Sequence, residues 1–228
     1  AERGFVVLEG LLADHEALKA RAEALLAAHG QEGQEDWNRP GLVLYPPGSA
    51  AAGRVQKVQS LCVLEPSFLE VFRRPALQRA LAAMAGEGNL DVFGTKLFTM
   101  YPGGTSVNWH QDNHYFGTAS QSIVSAAIYL EATDPENGCL RVIPASHRWG
   151  QVEHTPGEGE WANGEWASVN EAQALDVACT PGTVVLFNAL LLHSAYRNSS
   201  AKRTRFSVFG HYVPRDLGFS WWRPPQSR

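Results

Sequence analysis

From Leu90 onward the chain breaks into short runs of alternating character: LDVFGTKLFTMY (90–101), QSIVSAAIYLEA (121–132), GCLRVIP (138–144), TPGTVVLFN (180–188) and RTRFSVFGHYV (203–213). Each is rich in β-branched and aromatic residues, and Gly, Pro, Asn or Asp punctuates the gaps between them. Few helical crossovers separate the runs, so parallel βαβ units fit poorly. The pattern calls instead for an antiparallel β-sandwich or jelly roll, with helices packed on one sheet. Those helices are sought upstream. DHEALKARAEALLAAH predicts one capped by Asp14, with Leu18, Ala22, Leu25 and Leu26 on one face and Gly30 as its stop. RVQKVQSLCVL (54–64) reads as a strand, and PSFLEVFRRPALQRALAAMAG as two short helices or one helix kinked at Pro75.

With 228 residues, 44% of them hydrophobic, the chain fits a single domain over 1–228 that buries a full core. Two polar, Gly-rich stretches, 30–53 and 147–173, read as loops that cover something. The net charge is −4 and the 19 Lys and Arg are scattered, which leaves no footprint for nucleic acid and favours a small-molecule substrate. No stretch approaches the roughly 18 uninterrupted apolar residues of a membrane span. Cys62, Cys139 and Cys179 form no CxxC pair and read as reduced thiols in a cytoplasmic setting. Nothing in the pattern indicates an oligomer and nothing excludes one. Trp221 and Trp222 read as a core or surface patch.

The chemistry is concentrated in WHQDNHYFG (109–117). In an extended segment residues i and i+2 share a face, so His110 and Asp112 aim an imidazole and a carboxylate at one point. His193, at the end of the apolar run in FNALLLHSAYRN, is the best-placed third ligand. Two imidazoles and one carboxylate leave positions open on a metal, the arrangement of non-haem Fe(II) oxygenases, whereas structural zinc fills four positions with protein ligands. Ten residues after His193 comes Arg203, then Arg205. A guanidinium there suits the distal carboxylate of a dicarboxylate whose other end chelates the metal. Period two puts Arg203, Arg205 and Ser207 on one face, so spacing does not choose between the arginines.

WHQDNHYF, ENGCLRVIPASH (136–147), and PGTVVLFN with HSAYRNSS and a following Arg resemble, in order and spacing, the phytanoyl-CoA dioxygenase family of Fe(II)- and 2-oxoglutarate-dependent oxygenases. The opening GFVVLEGLLADHEAL resembles that family's N-terminal strand and helix, so the likeness spans essentially the whole chain. It implies a double-stranded β-helix, or jelly roll, with His110, Asp112 and His193 holding Fe(II). It further implies Arg203 on the 2-oxoglutarate C5 carboxylate, Arg205 as the alternate, and Lys57 and Thr99 near the cosubstrate. The implied reaction consumes O2, turns 2-oxoglutarate into succinate and CO2, and hydroxylates or otherwise oxidises a C–H bond of a small organic molecule. Two other readings stand beside it: a non-catalytic metal- or ligand-binding jelly roll, and a cupin-like metalloenzyme without cosubstrate.

The chain departs from the family pattern in three places. PASH replaces PGSH or PGTH, so Ala145 must take a conformation often given to Gly; a frequent Trp is replaced near Ala127; and a Ser usually two positions after the distal His stands one position after, as Ser194, with Ala195 next. His114 and Tyr115 are expected at the pocket wall facing substrate. Arg141, if it faces inward, would bind an anionic substrate, but period two leaves its face open.

Overall fold

The structure, a computed structural model, describes residues 2–29, 40–156 and 165–217. In chain order the first half holds β1 (Phe5–Leu8), α1 (His15–His29), β2 (Gly41–Leu44), β3 (Val55–Gln59), α2 (Leu61–Leu64), α3 (Leu69–Phe72), α4 (Pro75–Ala85), β4 (Leu90–Met100), β5 (Val107–His110) and α5 (Asp112–Phe116). The second half holds β6 (Val124–Tyr129), β7 (Leu140–Val142), β8 (Thr155–Pro156), β9 (Glu165–Trp166), β10 (Leu175–Val177), β11 (Val184–Asn188), β12 (His193–Ala195) and β13 (Arg205–Pro214). A large sheet runs β1-β11-β6-β13-β4-β3-β2, and a small one β10-β7-β12-β5. Every pairing within them is antiparallel, the jelly-roll architecture that the strand pattern called for.

Alternation along the strands sorts side chains into two cores. On the outer face of the large sheet, Leu97, Ile128, Leu186 and Val208 pack against Leu18, Ala22 and Leu25 of α1 and Leu77 and Leu81 of α4. On its inner face, Ala127, Tyr129, Val185 and Phe187 meet Leu140, Val142 and Val177 of the small sheet. Burial of these apolar faces, at ~25 cal/mol per Å2 removed from water, is what holds the layers together. The face of the large sheet turned toward the small one therefore forms the interior in which any site must sit.

Some local expectations need correction. The strand anticipated over 54–64 stops at Gln59, because Ser60 takes a left-handed conformation (φ 56) and residues 61–64 coil into α2. Part of the anticipated loop 30–53 is strand: β2 pairs with β3 at the sheet edge. Residues 30–39, including Gly30, lie outside the described residues, as do 157–164, Trp221 and Trp222. Asp14 precedes α1, but its carboxylate is committed to Arg74 at 2.6 Å. The helical stretch before β4 divides into α3 and α4 at Arg74, whose extended ψ of 131 is what a following proline demands. Among the described residues no helix is long and apolar enough to cross a membrane.

Gly182 closes the turn into β11 at φ +79, where a Cβ would meet the Leu12 carbonyl oxygen at 2.3 Å. Gly182→Ala should destabilise the protein by about 1–3 kcal/mol, read as a lower urea midpoint at unchanged slope.

Candidate metal centre

Three side chains distant in sequence meet because the small sheet brings two strands into register. His110 ends β5 and is the direct cross-strand partner of His193 on β12. Gln111 stays extended (φ −112, ψ 133) and Asp112 opens α5, so the i, i+2 geometry read from HQD survives the change from strand to helix. One ligand atom from each of His110, Asp112 and His193 lies within 4.8 Å of the others. Asp112 Oδ1 is 3.6 Å from His110 Nε2 and 3.7 Å from His193 Nε2. Both separations fall below the ~4.2 Å that two ~2.1 Å metal–ligand bonds can span.

The ring nitrogens are assigned by their surroundings. His110 Nδ1 lies 2.7 Å from the Asn108 carbonyl and His193 Nδ1 lies 2.9 Å from that of Leu191. Each Nδ1–H donates there, which leaves both Nε2 lone pairs facing Asp112. Burial, followed by the neighbouring His110, pushes the His193 pKa down to about 4, so the ring is neutral near pH 7. Burial acts to raise the Asp112 carboxyl, but the neighbouring His193, His211 and His110 outweigh it and hold the group well below the usual range. Two imidazole Nε2 atoms facing a carboxylate held ionised form the donor set that a divalent transition metal takes. Among the described residues no fourth His, Cys, Asp or Glu joins this cluster.

The two arginines separate cleanly. Arg203 precedes β13, in a turn where its carbonyl accepts from Asn198 Nδ2, and its exposed guanidinium binds Asp134 (2.7 and 2.9 Å) and Glu136 (2.5 Å). The period-two argument does not extend through a turn, so the expectation for Arg203 is corrected. Arg205, the first residue of the strand, points inward and is 3% exposed. Its guanidinium lies 3.2 Å from Ser207 Oγ, 3.7 Å from Met100 Sδ and over the Tyr129 ring at 5.9 Å, and among the described residues its Nε has no hydrogen-bond partner. Among the described residues no carboxylate pairs with it.

Lys57 lies buried on the inner face of β3, and burial, then Lys96, pushes its pKa down to about 6. Thr99 does not reach the interior. It pairs across to Phe206 on the outer face and its hydroxyl donates to the Val55 carbonyl. The open question of Arg141 is decided by register: pairing with Ser194 and Asp176 places it on the outer face of the small sheet, since Leu140 and Val142 fill the inner one. There it binds Glu171 at 2.8 Å and stacks near Trp109 and Tyr196. That face borders a cleft of about 900 Å3 lined by Trp109, Thr155, Trp166 and Ser194, with no member of the triad. His114 stacks on His154 at 4.1 Å, and half-exposed Tyr115 lies edge-on to His110, so both stand at the rim.

Sequence reading missed Gln111, Ser125, Lys96 and His211. Gln111 is fully buried; its Nε2 donates to the Gly150 and Leu190 carbonyls at 2.8 and 2.7 Å, and its Oε1 accepts from Val152 N at 2.9 Å. Its backbone N–H donates to His154 Nε2 at 3.0 Å. The middle letter of HQD thus fastens the segment 150–154 to the metal side of the fold. Gln111→Ala removes the side-chain partner of one N–H, Val152, and of two carbonyls, Gly150 and Leu190, at about 1–3 kcal/mol for each group left unpaired. The expected readout is amide exchange at Val152 accelerated tenfold or more; unchanged protection would show that other contacts hold the segment.

Comparisons with known proteins agree with this geometry. A family model described as Phytanoyl-CoA dioxygenase (PhyH) matches residues 1–207. The chain is 27% identical over 129 residues to a probable alpha-ketoglutarate-dependent hypophosphite dioxygenase of Stutzerimonas stutzeri, covering 54% of this chain and 45% of that protein. It is 27% identical over 225 residues to the peroxisomal phytanoyl-CoA dioxygenase of Mus musculus, covering 87% and 62%. The chain thus spans about half to three-fifths of these relatives' own lengths. In fold it is similar to the crystal structure of EctD from S. alaskensis with 2-oxoglutarate and 5-hydroxyectoine: TM-score 0.72, 21% identity, 92% of this chain and 72% of that one.

Proposed function

The chain belongs to the phytanoyl-CoA dioxygenase family, and from that premise we propose that it is an Fe(II)- and 2-oxoglutarate-dependent dioxygenase oxidising a C–H bond of a small organic molecule. The observation that carries this reading is Arg205: a buried guanidinium without a carboxylate partner among the described residues, in the same interior as the triad. Burying an arginine without a counter-ion costs several kcal/mol, so the fold is built for an anion that arrives from outside. The C5 carboxylate of 2-oxoglutarate is that anion, bound through the planar fork of Arg205.

His110 Nε2, Asp112 Oδ1 and His193 Nε2 would hold the iron, and Lys57 would stand beside the cosubstrate, whose negative charge favours the protonated amine. Bound iron and 2-oxoglutarate would supply the oxidising chemistry, with O2 consumed and succinate and CO2 released. The protein's own share is to leave metal positions open, neutralise the dicarboxylate and exclude water. His114 and Tyr115 at the rim face the substrate, and the described parts of the stretches 30–53 and 147–173, residues 40–53, 147–156 and 165–173, form the cover of a single domain. Free thiols at Cys62, Cys139 and Cys179 fit a reducing compartment such as the cytosol.

The wild-type protein with Fe(II), ascorbate and 2-oxoglutarate should release succinate, and His110→Ala and Asp112→Ala should not. Equal turnover in all three overturns the reading; metal and 2-oxoglutarate binding without succinate across a substrate panel marks a non-catalytic binder, and activity without 2-oxoglutarate a cupin-like enzyme. The arginines give a second, independent check. Arg205→Met should weaken 2-oxoglutarate binding at least a hundredfold by calorimetry, as expected for loss of ~3 kcal/mol of charge-assisted hydrogen bonding. Arg203→Met should leave that binding within a factor of two.

A further inference from the structure

Behind Asp112, on the side away from the two imidazoles, a polar chain crosses the inner face of the large sheet. Ser125 Oγ lies 2.5 Å from Asp112 Oδ2, His211 Nδ1 lies 2.9 Å from Ser125 Oγ, and Lys96 Nζ lies 3.3 Å from His211 Nε2. The four residues come from four elements: α5, β6, β13 and β4. Ser125 and His211 are cross-strand partners and almost wholly buried.

The direction of every bond follows from donor chemistry. An ionised carboxylate only accepts, so the Ser125 hydroxyl spends its one proton on Asp112. Its oxygen then accepts, which places a proton on His211 Nδ1. Lys96 Nζ carries N–H donors whether its buried amine is charged or neutral, and a His211 ring protonated on Nδ1 offers its Nε2 lone pair to them. Protons therefore point one way, from Lys96 to His211 to Ser125 to Asp112.

The fold makes room for this ring at some cost. The pairing of β13 with β4 slips between Phe209 and His211, and opposite the slip Gly94 sits at φ +57. A Cβ at position 94 would come within 2.8 Å of His211 Cδ2. Phe93 and Phe116 flank the imidazole at 5.5 and 4.8 Å between ring centroids. A buried histidine so confined, with both nitrogens engaged, is a placed component.

We infer that Ser125, His211 and Lys96 are positioning residues that hold Asp112 Oδ2 in a one-way hydrogen-bond chain and leave Oδ1 alone to face the metal. A carboxylate tied in this way presents one oxygen and keeps the second from closing on the ion, which preserves open positions beside the two imidazoles. This inference rests on the reading of Asp112 as a metal ligand, and the experiment separates the two.

The test uses Co(II) alone as the probe, with the full chain in its metal-free form. Wild type should bind Co(II), and Ser125→Ala and His211→Gln should bind it 10–100-fold more weakly, the usual effect of removing a partner behind a ligand, with an altered Co(II) absorption band. Thermal unfolding of the metal-free proteins controls for folding. Variants that keep the wild-type dissociation constant and band overturn the inference and leave the metal centre standing. A wild type that takes up no Co(II) overturns the metal centre and this inference with it. Should Ser125→Ala not fold, nitrogen-15 NMR of the wild-type protein decides: His211 protonated on Nδ1 only supports the chain, and protonation on Nε2 overturns it. Lys96→Met should then release Nε2 and populate the other tautomer.

Discussion

A carboxylate sits inside this protein, and nearly everything near it is arranged to make that tolerable. Asp112 is 8% exposed and, among the described residues, is the one buried acid. Taking an ionised carboxylate out of water costs several kcal/mol unless hydrogen bonds and opposite charge repay it. One oxygen is met by Ser125 and the other faces two imidazoles. These partners come from both sheets: β5 and β12 supply the histidines, β6 the serine. A slip of one residue in either sheet would turn one partner to the far face and leave the charge unpaid. The site thus depends on both registers at once, and it follows that the apolar cores described above do more than stabilise the chain. They lock the registers.

The interior has an electrostatic shape. Lys57, Lys96 and Arg205 share the inner face of the large sheet, on β3, β4 and β13. Asp112 opposes them from α5. Lys96 is drawn into the chain behind Asp112, while Arg205 has no acid of its own among the described residues. A cosubstrate with two carboxylates fits such a gradient: one end toward the metal side, the other toward the guanidinium. Desolvation makes each of these contacts stronger than it would be at the surface.

The strand pattern, the HQD spacing and His193 were legible because each rests on a local rule. Alternation reports which residues share a face, and an apolar run ending in a polar residue reports where a strand leaves the core. Arg203 and Arg205 were not separable, since the rule that puts them on one face fails where a turn replaces the strand. Arg141 was undecided for a different reason: which face of β7 looks inward is set by the partner sheet, not by β7. His211 was within reach, for it lies on the same period as Arg205 and Ser207. Strict alternation along β13 keeps it inward, since the extra residue of the register shift lies on the partner strand β4, at Gly94 and Thr95. Ser125 and Gln111 carried no signal that sequence alone could weigh, because their partners lie on other elements.

The departures from the family pattern can now be given physical content. Ala145 does adopt the left-handed conformation, at φ 66, and its N–H donates to the Arg3 carbonyl at 2.8 Å. A methyl group in that region costs about 1 kcal/mol, which one backbone hydrogen bond is enough to offset. Ala127 faces the interior between Val185 and Phe209. Phe209 in turn meets Phe98 edge-on at 5.2 Å. Phe209 on β13 and Phe98 on β4 thus supply aromatic surface beside the small Ala127 on β6. Since an anion gains most from a guanidinium in dry surroundings, an apolar wall of this kind strengthens whatever charge Arg205 meets.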